Sequence, residues 1–319
     1  MHGRGRLMRA DAVFAGGGVK GIALAGAIGA FERAGYKWQR IAGTSAGSIV
    51  AALLAAGYDS AELKHIMRTM RFDRLLGRGR LHRIPLVGPA LHLLLKQGLY
   101  SSDPLEQWMN ELLLRKKIAT FDHLPQDKLK IIVSDISNGR MVVLPDDLDR
   151  YGIPVRKLSI AAAVRMSTSI PFFFQPYKWK TPIGARPTYM VDGGLLSNYP
   201  IWLFDVSGEP RWPTFGFKLS QRRTVADANV IRGPITLSKA LFQTMLQAHD
   251  QRHVDEGGEV RTIFIPTDEV PSTRFTLGEE EIDYLDRSGR EAAESFLTGW
   301  DFERYKQQYR SAAARRTKR

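Results

Sequence analysis

Three short blocks of the 319-residue chain carry residue types that could perform acyl transfer. The first is Gly43-Thr44-Ser45-Ala46-Gly47, a G-x-S-x-G pattern set between an apolar run and a stretch of small residues. That spacing predicts a strand, a cramped turn and a helix, which hold the Ser45 hydroxyl clear of the backbone in front of a helix N-terminus. Gly43 and Gly47 stand where a β-carbon would crowd the turn. The unpaired N–H groups of the following helix then point at whatever sits on Ser45. The second block, Gly16-Gly17-Gly18-Val19-Lys20-Gly21, follows a short apolar strand. Its consecutive N–H groups suit an oxyanion, and preorganised donors of this kind are typically worth ~3 kcal/mol each. The third, Tyr189-Met190-Val191-Asp192-Gly193-Gly194, is an apolar strand ending in a carboxylate and two glycines. In parallel-sheet proteins, sites form where the carboxyl ends of strands open into loops. Together the blocks predict a serine nucleophile, a carboxylate and a set of backbone donors at one such end.

Blander readings compete with each block. Small residues around Ser45 would also let a helix pack close to a strand, and Asp192-Gly193 would also make a turn. Gly16-x-Gly18-x-x-Gly21 satisfies the dinucleotide fingerprint, but that reading wants an acidic residue about 20 positions on. None stands around residues 38–42; Arg40 there would at most meet a 2′-phosphate. His249-Asp250-Gln251-Arg252-His253 resembles a zinc-protease helix with Asp for Glu, yet no third ligand is evident, and a solvated helix face is the better account. His65, His82, His92 and His123 read as surface or cap residues. Lys20 would face lipid phosphate or hold a loop. Phe172, Phe173 and Phe174 would line an acyl pocket or, as the preferred reading, pack in the core.

The elements that must position these blocks follow from periodicity. The front third alternates strand 11–15, helix 22–34, strand 38–42 and helix 46–56. Asp59 with Glu62 forms a capping box that opens a helix to residue 70. This βαβα rhythm argues for a largely parallel sheet covered on both faces. Residues 71–100 break it, and their arginines and apolar run suggest a cap able to meet lipid, or a core helix with a charged flank. Asp103 and Pro104 start a helix to residue 114. Asn138-Gly139 predicts a hairpin pairing 131–137 with 141–144. A helix over 159–166 runs into Ser169-Ile170-Pro171. Further strands are expected at 215–219 and 262–266, and helices at 243–254 and 279–297. No boundary is evident, so a single domain over 8–298 is expected, with flexible basic tails at 1–7 and 299–319.

Composition narrows the class. Apolar residues at 44% and charged residues at 25% are those of an ordinary globular protein. The absence of cysteine excludes disulfides, thiolate metal sites and a cysteine nucleophile. No run approaches the roughly 18 apolar residues needed to cross a bilayer, and Asp11 and Lys20 interrupt anything resembling a signal peptide. A soluble, cytoplasmic protein, at most peripheral to a membrane, is therefore expected. The formal charge of +13, from 46 basic and 33 acidic residues, points to an anionic partner. Basic residues gather at Arg4, Arg6 and Arg9, at Arg310, Arg315, Arg316, Lys318 and Arg319, and at Arg68, Arg71, Arg74, Arg78, Arg80 and Arg83. An anionic membrane surface fits that pattern better than a specific nucleic acid, although solvated tails would show the same composition.

The GGGVKG wording of the first block, and the order glycine block, Ser45 elbow, Asp192 block, resemble the patatin-like phospholipases, or lipid acyl hydrolases. Residues 159–174 match that family's helix-then-Pro-Phe segment, and the likeness extends closely over about 10–200 and loosely to 298. The resemblance implies a three-layer α/β/α fold around a central, mostly parallel sheet. It implies a Ser45–Asp192 dyad in place of a triad, with Gly16, Gly17, Gly18 and Ala46 as oxyanion donors and Lys20, Gly21, Gly43, Gly47, Gly193 and Gly194 as motif positions. The substrate would be a phospholipid or other fatty acyl ester, and no cofactor or metal is implied. A non-catalytic lipid-binding protein that keeps the fold is the alternative. The oligomeric state, head-group preference and any need for an activator are left open.

Overall fold

The computed structural model describes residues 7–77, 95–220, 256–268 and 277–310, with single positions at 93, 231, 233, 236, 237, 240, 241, 244 and 270. Strands β1 (Met8–Phe14), β2 (Tyr36–Thr44), β4 (Leu129–Asp135), β9 (Thr214–Ser220) and β10 (Thr262–Pro266) run parallel, in the order β10-β9-β1-β2-β4. Beyond β4 the sheet turns antiparallel through β8 (Thr188–Asp192) and β7 (Tyr177–Trp179), and β5 (Arg140–Leu144) pairs with β4 as the expected hairpin. β3 (Gly98–Tyr100) and β6 (Phe172–Phe174) form a small separate sheet.

The pairing around β4 determines where the functional groups meet. β2 pairs with β4 over Ile41–Thr44, ending with Thr44 opposite Ile132. The next residue of β4, Val133, is opposite Asp192 of β8, which runs the other way. β5 occupies the other edge of β4 across both stretches, pairing with Ile131 through Asp135. A strand has two edges, so β2 and β8 must share one, nose to nose. The carboxyl ends of both strands therefore abut on adjacent rungs.

Alternation along the strands feeds two cores. Ala10, Ala12 and Phe14 of β1, with Ile41, Ile131, Phe215, Phe217 and Ile265, enter the larger one. It is filled from the helices α1 (Ile22–Arg33), α2 (Ala46–Ala55), α3 (Ser60–Thr69), α4 (Asp103–Arg115), α5 (Ile160–Ser167) and α6 (Glu279–Gly299). Val13, Ala15 and Ala42 point the other way, against Tyr199, Ile201 and Phe204. Among the described residues that second face is covered by the short turn Ile201–Phe204. α1 and α6 cross at very short range because Gly26 lies against the Asp286 carbonyl and Gly289 against that of Ala23. Asp59 and Glu62 form the anticipated capping box of α3.

Three expectations are corrected. The chain beyond residue 298 is no loose tail as far as Arg310: the Trp300 ring lies 5.0 Å from that of Phe215, and Tyr305 is buried. Phe172 is 48% exposed and sits at the start of β6, so the aromatic run is not core; Phe173 and Phe174 are only half-buried. Arg68 is not a free cation, since Glu279 and Asp283 each hold it at 2.9 Å. The helix expected over 243–254, with His249 and His253, lies outside the described residues except for Thr244; so do Arg4, Arg6, Arg78, Arg80, Arg83, His82, His92 and residues 311–319.

Candidate active site

At the carboxyl end of β2 the chain turns so sharply into α2 that Ser45 takes φ 53° and ψ −129°. L-residues avoid such backbone, and it persists only where the surroundings hold it, at a cost of about 1–3 kcal/mol. Close approach explains the flanking glycines: a β-carbon at Gly43 would collide with the Gly47 carbonyl, and one at Gly47 with the carbonyls of Phe14 and Ala15. The turn is held from both sides. The Ser45 carbonyl accepts from the Ser48 N–H at 2.9 Å and from the Ser48 hydroxyl at 2.6 Å. The Ser45 N–H donates to Ser167 Oγ at 2.9 Å.

Ser45 Oγ donates to Asp192 Oδ2 at 2.6 Å. The two residues, 147 apart in sequence, meet because β2 and β8 abut on β4. Asp192 is fully buried, and its second oxygen accepts the Gly194 N–H at 2.7 Å. Burial in low dielectric disfavours the carboxylate and pushes its pKa from 3.8 up to about 7, against the pull of the Ser45 and Gly194 hydrogen bonds. Gly193 packs where a β-carbon would strike the Ile132 carbonyl, so the aspartate strand can press against β4.

Next to Ser45, reached through Gly16, runs the glycine turn. Gly17 and Gly18 open the single turn Gly18–Gly21 that leads into α1, and Gly18 is exposed with φ 62°. Among the described residues the N–H groups of Gly17, Gly18 and Ala46 donate to no protein acceptor. Gly16 differs from expectation. Its N–H is turned to the Asn198 carbonyl at 3.4 Å, and a β-carbon there would come 2.9 Å from that of Ser45. Its place demands the absence of a side chain rather than a donor. Gly21 ends the turn as the residue before α1.

Lys20 is buried, with its side chain directed at the residue that follows β10. Its Nζ donates to the Thr267 carbonyl and hydroxyl at 3.2 and 3.3 Å, tying the glycine turn to the end of β10. Burial lowers its pKa to about 8, partly opposed by Asp268. These bonds favour the loop-anchoring reading of Lys20. Arg40 forks onto buried Asp11 at 2.6 and 3.1 Å. Ser48, Ser167 and Asn198 were not singled out from sequence. Ser167 lies in the run Ser167-Thr168-Ser169, where nothing in the spacing separates one hydroxyl from the next.

Fold and site together define a class: an α/β protein with a serine elbow and a buried aspartate at adjoining strand ends, and a glycine turn that packs against the elbow through Gly16. A family model described as patatin-like phospholipase matches residues 12–205. The chain is 43% identical over 296 residues to YqhO of Bacillus subtilis, covering 92% of this chain and 100% of that relative. It is 25% identical over 194 residues to the probable lipid hydrolase 463L of Invertebrate iridescent virus 6, over 59% of this chain and 61% of the relative. Among solved structures, VipD from Legionella pneumophila shares the fold with a TM-score of 0.53 at 19% identity, over 92% of this chain and 67% of that one. The protein belongs to the patatin-like phospholipase family.

Proposed function

We propose that the protein is a serine lipid acyl hydrolase that cleaves fatty acyl esters through Ser45 and Asp192. The observation that carries this reading is the 2.6 Å hydrogen bond from the Ser45 hydroxyl to a carboxylate with no exposed surface. Ser45 Oγ attacks the ester carbonyl carbon while its proton passes to Asp192 Oδ2. The carbonyl oxygen, now an oxyanion, is met by the N–H groups of Gly17, Gly18 and Ala46. As the tetrahedral intermediate collapses, the bond to the alcohol breaks and Asp192 returns the proton to it. Water then attacks the acyl-serine, gives its proton to Asp192, and the fatty acid leaves as Ser45 recovers that proton. An ordinary aspartate is a poor base, with a pKa of ~3.9; one raised to about 7 is better matched to the task.

Phospholipids and lysophospholipids are the substrate class the family suggests, with access from an anionic membrane surface. The test is a lipid-class hydrolysis screen of wild type beside Ser45→Ala and Asp192→Asn. Ser45→Ala should lose turnover and fluorophosphonate labelling while its melting temperature stays within a few degrees of wild type. Asp192→Asn should lose nearly as much, because an amide cannot take the proton. Turnover retained by Ser45→Ala would overturn the nucleophile assignment, and most of the rate surviving in Asp192→Asn would mean another base.

A further inference from the structure

The turn Ser167-Thr168-Ser169, at the end of α5, touches both members of the pair. Ser167 Oγ accepts the Ser45 N–H at 2.9 Å and donates its single proton to the Ile132 carbonyl at 2.6 Å. The Ser169 carbonyl accepts the Asp192 N–H at 2.9 Å. Ile132 is the β4 residue opposite Thr44, and its neighbour Val133 is opposite Asp192. The Ser167 hydroxyl thus sits at the junction of elbow, central strand and helix, with no exposed surface. Its polarity is fixed: with the proton committed to Ile132, only lone pairs face Ser45. A buried Ser48 hydroxyl grips the carbonyl of the same residue. Ser167 is therefore the side chain that holds the amide of a residue kept in strained backbone.

We propose that Ser167 is a positioning residue of the hydrolase: its hydroxyl anchors the Ser45 amide and so holds the Ser45 hydroxyl on Asp192. The proposal rests on the serine hydrolase reading above. Ser167 touches neither substrate nor the reacting oxygen; it acts through the angle at which the elbow presents Ser45. Without that acceptor, Ser45 can relax toward ordinary backbone and swing its hydroxyl off the carboxylate. A misplacement of about 1 Å can cost about a hundredfold in rate. Binding of the ester, made by other groups, is left alone.

The test uses the full chain and a soluble short-chain nitrophenyl ester, with fluorophosphonate labelling as a second readout. Ser167→Ala removes the acceptor. Ser167→Cys keeps the shape with a slightly larger atom that is a poor acceptor, and Thr168→Val removes the adjacent hydroxyl, which among the described residues bonds within its own helix turn at 2.9 and 3.2 Å. We expect kcat and the labelling rate to fall about 10- to 100-fold in both Ser167 variants, with KM within about twofold. Thr168→Val should match wild type. Ser167→Cys as fast as wild type would overturn the proposal, because packing alone would then suffice. Equal losses in Thr168→Val would overturn it too, as would unfolding of both Ser167 variants, which would make the residue a structural prop. A wild type lacking Ser45-dependent turnover would instead remove the hydrolase reading, and the catalytic role of Ser167 with it.

Discussion

Asp192 carries two opposing demands at the residue scale. In the proposed mechanism it must be ionised to accept the Ser45 proton, yet its burial favours the protonated form. The activity expected of such a base rises about tenfold per pH unit below 7 and levels off above it, since only the carboxylate fraction works. A profile of kcat/KM on a soluble ester checks this; a plateau already reached at pH 5 would mean an unshifted carboxyl. Stability should move the opposite way. Between about pH 4 and 7 the native state keeps a proton that the unfolded chain releases, so rising pH through that window weakens the fold. Asp192→Asn removes the effect. Denaturant titrations at pH 5 and pH 8 should show the variant losing less stability than wild type over that interval, and an equal loss in both would sink the idea.

Elements with a strong local signature were legible in the sequence; those defined by partners were not. The strand–turn–helix at Ser45, the capping box at Asp59 and the Asn138-Gly139 hairpin each rest on residues within a few positions, and the structure has them where expected. β10 runs from Thr262 to Pro266 as read. What periodicity could not supply is the antiparallel end of the sheet, because β7 and β8 are short and their direction depends on pairing with β4. The pairing of Phe172 with Gly98 was invisible for the same reason: three phenylalanines in a row look like core unless the partner strand is known. Spacing could nominate Ser45 and Asp192, but only the shared edge of β4 brings them together. The helix crossing was equally hidden. At the α1–α6 contact, Gly289→Ala would drive a methyl group into the Ala23 carbonyl, a backbone atom that cannot step aside. Overpacking of this kind costs about 1–3 kcal/mol. The expected drop in melting temperature is several degrees. Gly299→Ala, on the same helix in open space, should leave it unchanged or raised; equal effects from the two would refute the packing account.

The whole molecule carries an excess of 13 positive charges. Internal pairs such as Arg40 with Asp11 and Arg261 with Asp205, at 2.7 and 2.9 Å, cancel charge one for one and leave that excess intact. The sequence expectation of an anionic lipid partner can be tested at the arginines at 71, 74, 78 and 80. Replacing those four with serine should weaken binding to vesicles containing phosphatidylserine more than it slows hydrolysis of a soluble ester, and the difference should shrink as salt is raised. Equal loss in both assays would argue that the segment serves the fold or the chemistry instead.

That β2 and β8 meet tip to tip along one edge of β4 has a bearing on how the protein comes into being. A chain emerging from the ribosome completes the Ser45 turn early, and nearly 150 further residues must follow before a proton acceptor exists for it. On the hydrolase reading, the Ser45 hydroxyl stays an ordinary alcohol until β8 has docked, and a fragment cut short of Asp192 should show no Ser45-dependent ester turnover however well its first half folds. The chemistry proposed for Ser45 is thereby deferred to the moment the sheet closes.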